Sequence, residues 1–458
     1  MAALSERKIA IVRTLVETAP DRVVGNLRQA LAETAEDSAL GAVRRLVETE
    51  VSDRTLRNTV LQPVAPMFVG GGDHTRTLTF PARALALLWR GLKAAEGPAV
   101  AQASTDFDNG VPAQTAQACQ DRLVAIAGAS LRSRAGSDFR AAAEICDLGR
   151  PNGADQLASC LEIAAVVRQA VRRMPEWVAH PGKETAASAR LAYKDVVEIS
   201  EDAGPRFFEM LAAHMPHPWM VLRIISAVMD KPTERYLADS ELACFAEAVL
   251  DDIDAALTRI AGFNPDDGVA AARATADMAE LVVRQMLEVE TSVDLDRDHG
   301  WGQRIHKQRL RFVEVVEGRL REAEMAVTEA LPMPVTRLHR VTRSIPRLSE
   351  MPDARSVGRA VALLSFAEAL RTTANYGGFS ATRAKVIEKL TEFLASYVQE
   401  VLDLIRSGKV EVLENAAAYL EAAAAFSHLV AGDKAGALVR RRAHTALYPE
   451  ASYETTGQ

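Results

Sequence analysis

From Trp301 to Leu331 the chain contains no proline, and Ile305, Phe312, Val316, Leu320, Ala323, Val327 and Ala330 recur along it at the spacing of one helix face. A helix of that length is stable only where other elements cover its apolar side, so the run dictates what the rest of the chain must supply. The remaining vocabulary agrees. Aromatic residues make up 5% of the chain, and it is rich in Ala, Leu, Val and Arg, a mixture that favours helix over sheet. The expected fold class is all-α, either a multi-helix bundle or a solenoid-like array of helical hairpins.

The opening turns of the long helix carry Arg304, Lys307, Arg309 and Arg311. Cations oppose the macrodipole at a helix N-terminus, so a negative group is expected nearby. Asp294, Asp296 and Asp298, just upstream, are the local choice; an external anion or an acidic partner surface is the functional one.

Three phrases, Leu15-Val16-Glu17-Thr18, Leu31-Ala32-Glu33-Thr34 and Leu46-Val47-Glu48-Thr49, recur about one helix and a turn apart. Each is followed by an acidic residue suited to capping, Asp21, Asp37 or Asp53. Residues 60–80 break the helical pattern with Pro63, Pro66 and the Gly70-Gly71-Gly72-Asp73 turn, and the alternation of Thr75, Thr77 and Thr79 with Leu78 and Phe80 predicts a short irregular or β-ribbon insertion. Four regions follow from these breaks. Residues 1–150 form an N-terminal helical region with the Gly-rich loop, and 151–300 an acidic helical region. Residues 301–448 hold the long helix, a basic strip and the C-terminal helices; 449–458 form a tail.

The net charge of −7 opposes a duplex-coating protein, which needs an excess of Lys and Arg. It conceals an asymmetry: Asp195–His299 carries 22 acidic and 8 basic side chains, whereas Gly300–Ala360 carries 12 basic and 7 acidic. After Pro332 and Pro334 comes a stretch without acidic residues that bears Arg337, His339, Arg340, Arg343 and Arg347. If helical, it sets Arg340, Arg343 and Arg347 on one face. Cys119, Cys146, Cys160 and Cys244 have neither metal nor redox spacing, and reduced thiols are expected. Glu6, Arg7, Lys8 and Arg13 interrupt any apolar leader, so the chain is read as cytoplasmic.

The enzyme-like patterns are incomplete. Asp251-Asp252-Ile253-Asp254 partly resembles the Asp-rich magnesium motif of isoprenoid synthases, but Ala255 stands where the second carboxylate should face the metal. Asp294-Leu295-Asp296-Arg297-Asp298 opens like a calcium loop and then lacks its glycine and its terminal glutamate. His214 and His217 flank Pro216 without a third ligand.

The sequence therefore predicts a noncatalytic helical scaffold or adaptor that binds a protein partner through helix faces and exposed arginines. Arg304, Lys307, Arg311, Arg337, Arg340, Arg343 and Arg347 are the candidate partner- or anion-binding residues. No metal, cofactor or catalytic residue is assigned, and duplex nucleic acid is not expected. Self-association, an anionic ligand and an anionic membrane surface are the other partners such a surface would suit. The alternative is an all-α divalent-metal enzyme using carboxylates of the acidic region, which requires several of Asp251, Asp254, Asp294, Asp296 and Asp298 to converge.

Overall fold

The computed structural model describes residues 5–35, 38–70, 78–200, 203–338 and 341–448, with all side chains there except those of 39, 113, 336–338 and 341–343. Among these residues the chain forms 21 α-helices and two pairs of short strands. The all-α expectation holds. No described helix is long and apolar enough to cross a membrane.

The chain divides into two compact units, Met1–Ala248 with Ser292–Asp294, and Val249–Thr291 with Leu295–Gln458. In the first unit, helix Ala82–Ala95 packs on Gly136–Gly149, Ala113–Arg132 on Gly153–Glu162, and Lys183–Ile199 on Val221–Met229. The closeness of the first pair depends on Gly91: a Cβ there would stand 2.7 Å from the Phe139 ring. Trp89, Phe207, Phe208 and Met67 are fully buried in this unit. Helices Glu6–Thr18, Asp21–Leu31 and Ala39–Val60 add a smaller core of Val16, Val24 and Val47. Phe68–Val69 pairs in parallel with Phe80–Pro81, as the insertion near residues 60–80 requires. The glycine turn at 71–73 and the threonines at 75 and 77 lie outside the described residues.

In the second unit the long helix spans Gly300–Ala330, and all seven residues of its predicted stripe are buried. It packs on Ala354–Ala369 and Ser380–Arg406, while Leu413–Ala431 is covered by Ala354–Ala369, Ser380–Arg406 and Asp433–Leu447. Its start is set by a close backbone approach. A Cβ at Gly302 would lie 1.9 Å from the Asp296 carbonyl oxygen and 2.7 Å from its carbon.

Several local expectations are corrected. The Leu46–Thr49 phrase lies inside helix Ala39–Val60 rather than at a helix end, and Asp53 pairs with Lys93 instead of capping. No glycine or proline interrupts the chain there, so the helix continues. Helix Ala164–Ala179 runs through Pro175, and Ile163 separates it from helix Gly153–Glu162. The segment after Pro334 is not helical: Val335–Leu338 and Val341–Ser344 form an antiparallel hairpin, with Thr336 opposite Arg343 and Arg337 opposite Thr342. The arginines therefore do not share a helix face. Within Leu413–Ala431, Leu413 and His428 are exposed, and the buried side runs through Ala416, Tyr419, Leu420, Ala423 and Phe426.

Two glycines of the long helix give opposite expectations. Gly302→Ala should lower stability by about 1 to 3 kcal/mol, because the new methyl meets backbone that has no rotamer to yield. Gly318 has nothing near its Cβ position, so Gly318→Ala should raise stability by roughly 0.5 to 1 kcal/mol. Chemical denaturation of both variants checks the pair.

Candidate functional site

The first unit holds two adjoining grooves. One, of about 650 Å³, is bounded by Asp21, Val24, Gly25 and Arg28 of one helix, by Val51, Arg54, Thr55, Asn58 and Thr59 of another, and by Gln62, Gln120, Arg168 and Arg172. The second, of about 660 Å³, shares Asp21, Arg54, Asn58 and Gln62, and adds Glu17, Arg57, Phe68 and His214 among others.

The arginines of these walls fall into two groups. Arg54 is committed to structure: it donates to the carbonyls of Val16, Glu17 and Ala19 at the end of helix Glu6–Thr18 and pairs with Glu50 and Asp21. Arg168 is 3% exposed, donates to the Thr59 and Val60 carbonyls closing helix Ala39–Val60, and reaches Asp121 at 2.8 Å. Both supply donors to carbonyls that a helix C-terminus leaves unpaired, with the charge the macrodipole favours. Burial lowers the pKa of Arg168, with Asp121 acting against that shift. Arg28 and Arg172 are free to act outward. Arg28 is exposed and meets no polar partner among the described residues. Arg172, also exposed, makes one hydrogen bond, to Gln117 at 3.1 Å.

Glu17, Arg54 and Arg57 of the second groove belong to an ionic network. Glu50 accepts from Arg54 at 3.0 Å and lies 3.2 Å from Arg57, whose Nε is buried without a partner. Burial holds the Arg57 pKa below its ordinary value. Glu17 accepts from Arg90 at 3.2 Å, yet burial, reinforced by Glu50, raises its pKa above the ordinary 4.5. His214 has Nε2 3.2 Å from the Pro63 carbonyl oxygen, and burial lowers its pKa. It serves as a core contact rather than as half of a ligand pair with His217, whose ring stacks on Trp219.

In the second unit the predicted basic residues separate. Arg304 reaches Asp251 and Asp254, each at 2.6 Å, and these hydrogen bonds outweigh burial to raise its pKa. Its counter-charge is thus not the upstream Asp294, Asp296 and Asp298, which lie in the turn before the helix. Asp296 instead accepts from the Asp298 backbone N–H at 2.9 Å, and Asp294 bridges to Thr233. Arg309 is held by Glu290 at 2.7 Å, Arg311 donates to Thr258 at 3.3 Å, and Lys307 donates to Gln303 at 3.1 Å. Arg347 is exposed beyond the hairpin, its backbone N–H donating to the Pro332 carbonyl. The side chains of Arg337 and Arg343, and Arg340 altogether, lie outside the described residues. Sequence reasoning missed Arg28, Arg57 and Arg172, for which no spacing rule exists.

Among the described residues, no group of three or more His, Cys, Asp or Glu is placed to hold a metal ion. The four cysteines are free. Burial raises the pKa of Cys119, Cys146, Cys160 and Cys244, to about 12 at Cys146 and about 11 at Cys244, so at neutral pH these thiols stay protonated and weakly nucleophilic. No protein-family model matches the sequence, and comparison with curated proteins and with solved structures gives no match.

Arg168→Met should cost about 3 to 5 kcal/mol, since it strands Asp121 and two helix-terminal carbonyls together; urea unfolding measures it. Glu17 makes the chain pH-sensitive in the opposite sense from an ordinary ion pair. Its folded pKa is raised, so the folded state holds the proton that the unfolded state releases, and its contribution is lost as pH rises above about 4.5. Glu17→Gln should therefore gain stability relative to the wild type between pH 4.5 and neutrality, and show no advantage below that window. Thermal melts of both proteins across that range test the sign.

Proposed function

We propose that this chain is a noncatalytic helical scaffold or adaptor that binds a protein partner through helix faces and exposed arginines. The observation that supports this reading most directly is the division of labour among the arginines of the first unit. Arg54 and Arg168 are consumed by helix ends, whereas Arg28 and Arg172 stand at the rim of an open groove with donors to spare. Open grooves on a helical frame suit recognition better than chemistry that must exclude water. The carboxylates on which a metal enzyme would rely support this reading too, because Asp251 and Asp254 are neutralised by Arg304. The reading takes the cytoplasm as the place of action.

Affinity capture from the native host tests it, using the wild type, an Arg28→Glu/Arg172→Glu variant, and a variant with Arg337, Arg340, Arg343 and Arg347 all changed to Glu. Circular dichroism first establishes that all three are folded. A protein recovered in stoichiometric amount by the wild type and lost from one variant supports the scaffold and locates its surface. Recovery of no stoichiometric partner under conditions that preserve the fold defeats it.

A further inference from the structure

The groove between Arg28 and Arg172 offers more than unspecified basic charge. Four arginines line it against one carboxylate, Asp21, and that carboxylate is already paired with Arg54. The acidic groups behind the wall are also spent, Glu50 on Arg54 and Arg57, and Asp121 on Arg168. The space therefore keeps a positive potential, to which committed and uncommitted guanidiniums both contribute. The same groove is lined by the side-chain amides of Asn58, Gln62 and Gln120, none with a hydrogen-bond partner among the described residues. Val24 and Val51 give the wall an apolar strip, and Val23 and Leu27 lie exposed on the same helix as Arg28.

These features match one kind of occupant. Amides present both donors and acceptors, which suits the alternating N–H and C=O groups of a peptide backbone better than the acceptor-only surface of a phosphate. No aromatic side chain lines this groove, so nothing there would stack a base. The guanidinium forks of Arg28 and Arg172 favour carboxylates held bidentately. The volume, about 650 Å³, is that of a site for a ligand of a few residues. We infer that this groove binds an acidic peptide segment of a partner protein, with Arg28 and Arg172 taking its carboxylates and Asn58, Gln62 and Gln120 taking its backbone. The inference rests on the scaffold reading and specifies where and what the scaffold binds.

Fluorescence anisotropy with a labelled decapeptide of Glu and Ala in equal parts tests it, alongside the same peptide with Gln for Glu. The wild type should bind the Glu peptide, release it as salt is raised, and ignore the Gln peptide. Arg28→Glu/Arg172→Glu should weaken binding by at least about tenfold, with circular dichroism and thermal midpoint unchanged. Arg140→Glu/Arg235→Glu, which makes the same change in net charge on exposed residues away from the groove, should bind as the wild type does. Equal loss in both variants, binding of the Gln peptide, or no binding to the wild type would overturn the inference. Displacement of the peptide by inorganic phosphate at comparable concentration would overturn it too, assigning the groove to small anions. Should a host partner be captured equally by the wild type and by Arg28→Glu/Arg172→Glu, the scaffold stands and the groove is excluded as its docking site.

Discussion

Several helix ends in this protein are closed by arginines from other helices, and each such bond ties two helices together. Helix Glu6–Thr18 passes into an extended Ala19, helix Ala164–Ala179 into His180, and helix Ala354–Ala369 into Leu370; none of these positions is a left-handed glycine that would fold the last carbonyls back on the chain. The carbonyls are met from outside instead. Arg54 closes the first, Arg223 donates to Val178 at 2.7 Å, and Arg383 to Ala367 at 3.0 Å; Arg168 does the same for Ala39–Val60, and Arg319 for Ala243–Ala261 through Ala261 at 2.7 Å. A glycine cap is local and leaves the helix free to be placed anywhere. An arginine cap ties one helix end to a position on another, so the same bond that satisfies the carbonyl also sets the packing.

That arrangement is in keeping with a composition in which arginine far outnumbers lysine. A guanidinium offers five donors in a fixed plane and can serve a carbonyl and a carboxylate at once, as Arg168 does with Val60 and Asp121. Lysine would place one charge at one point. It also changes what a basic stretch of sequence means: where arginines serve helix ends and ion pairs, only those left over are available to a partner. Arg304 and Arg309 fail that criterion because Asp251, Asp254 and Glu290 hold them.

What could be read in advance divides along the same line. The long helix and its stripe were legible because periodicity is local and no proline interrupts Gly300–Ala330. The helices Gly97–Asp108, Gly136–Gly149 and Asp433–Leu447 were not anticipated. The hairpin after Pro334 was hidden by arginine spacings that also fit a helix. Its own signal was the repetition of Val335-Thr336-Arg337 in Val341-Thr342-Arg343, two β-branched pairs separated by a short link without the glycine or asparagine that usually marks such a turn. The charge blocks showed that acidic and basic segments adjoin, but the pairing of Arg304 with residues about fifty positions earlier is a tertiary fact. The groove was illegible for the same reason, since its walls are drawn from Asp21 to Arg172 and no spacing joins them.

A groove built in this way separates field from contact. Arg54 and Arg168 cannot turn toward a ligand without releasing helix ends, so their charge is fixed in place, and their partial burial limits its screening by salt. Arg28 and Arg172 lie in solvent, where an uncommitted guanidinium is well hydrated and imposes no strain. A ligand of the kind proposed would displace water from these two and from the amides of Asn58, Gln62 and Gln120, while the charge of Arg54 and Arg168 is already in place on folding. Electrostatic preorganisation of this sort raises the rate of encounter more than the final affinity. On the scaffold reading proposed above, selectivity would then rest on the amides and valines that line the groove rather than on the charge.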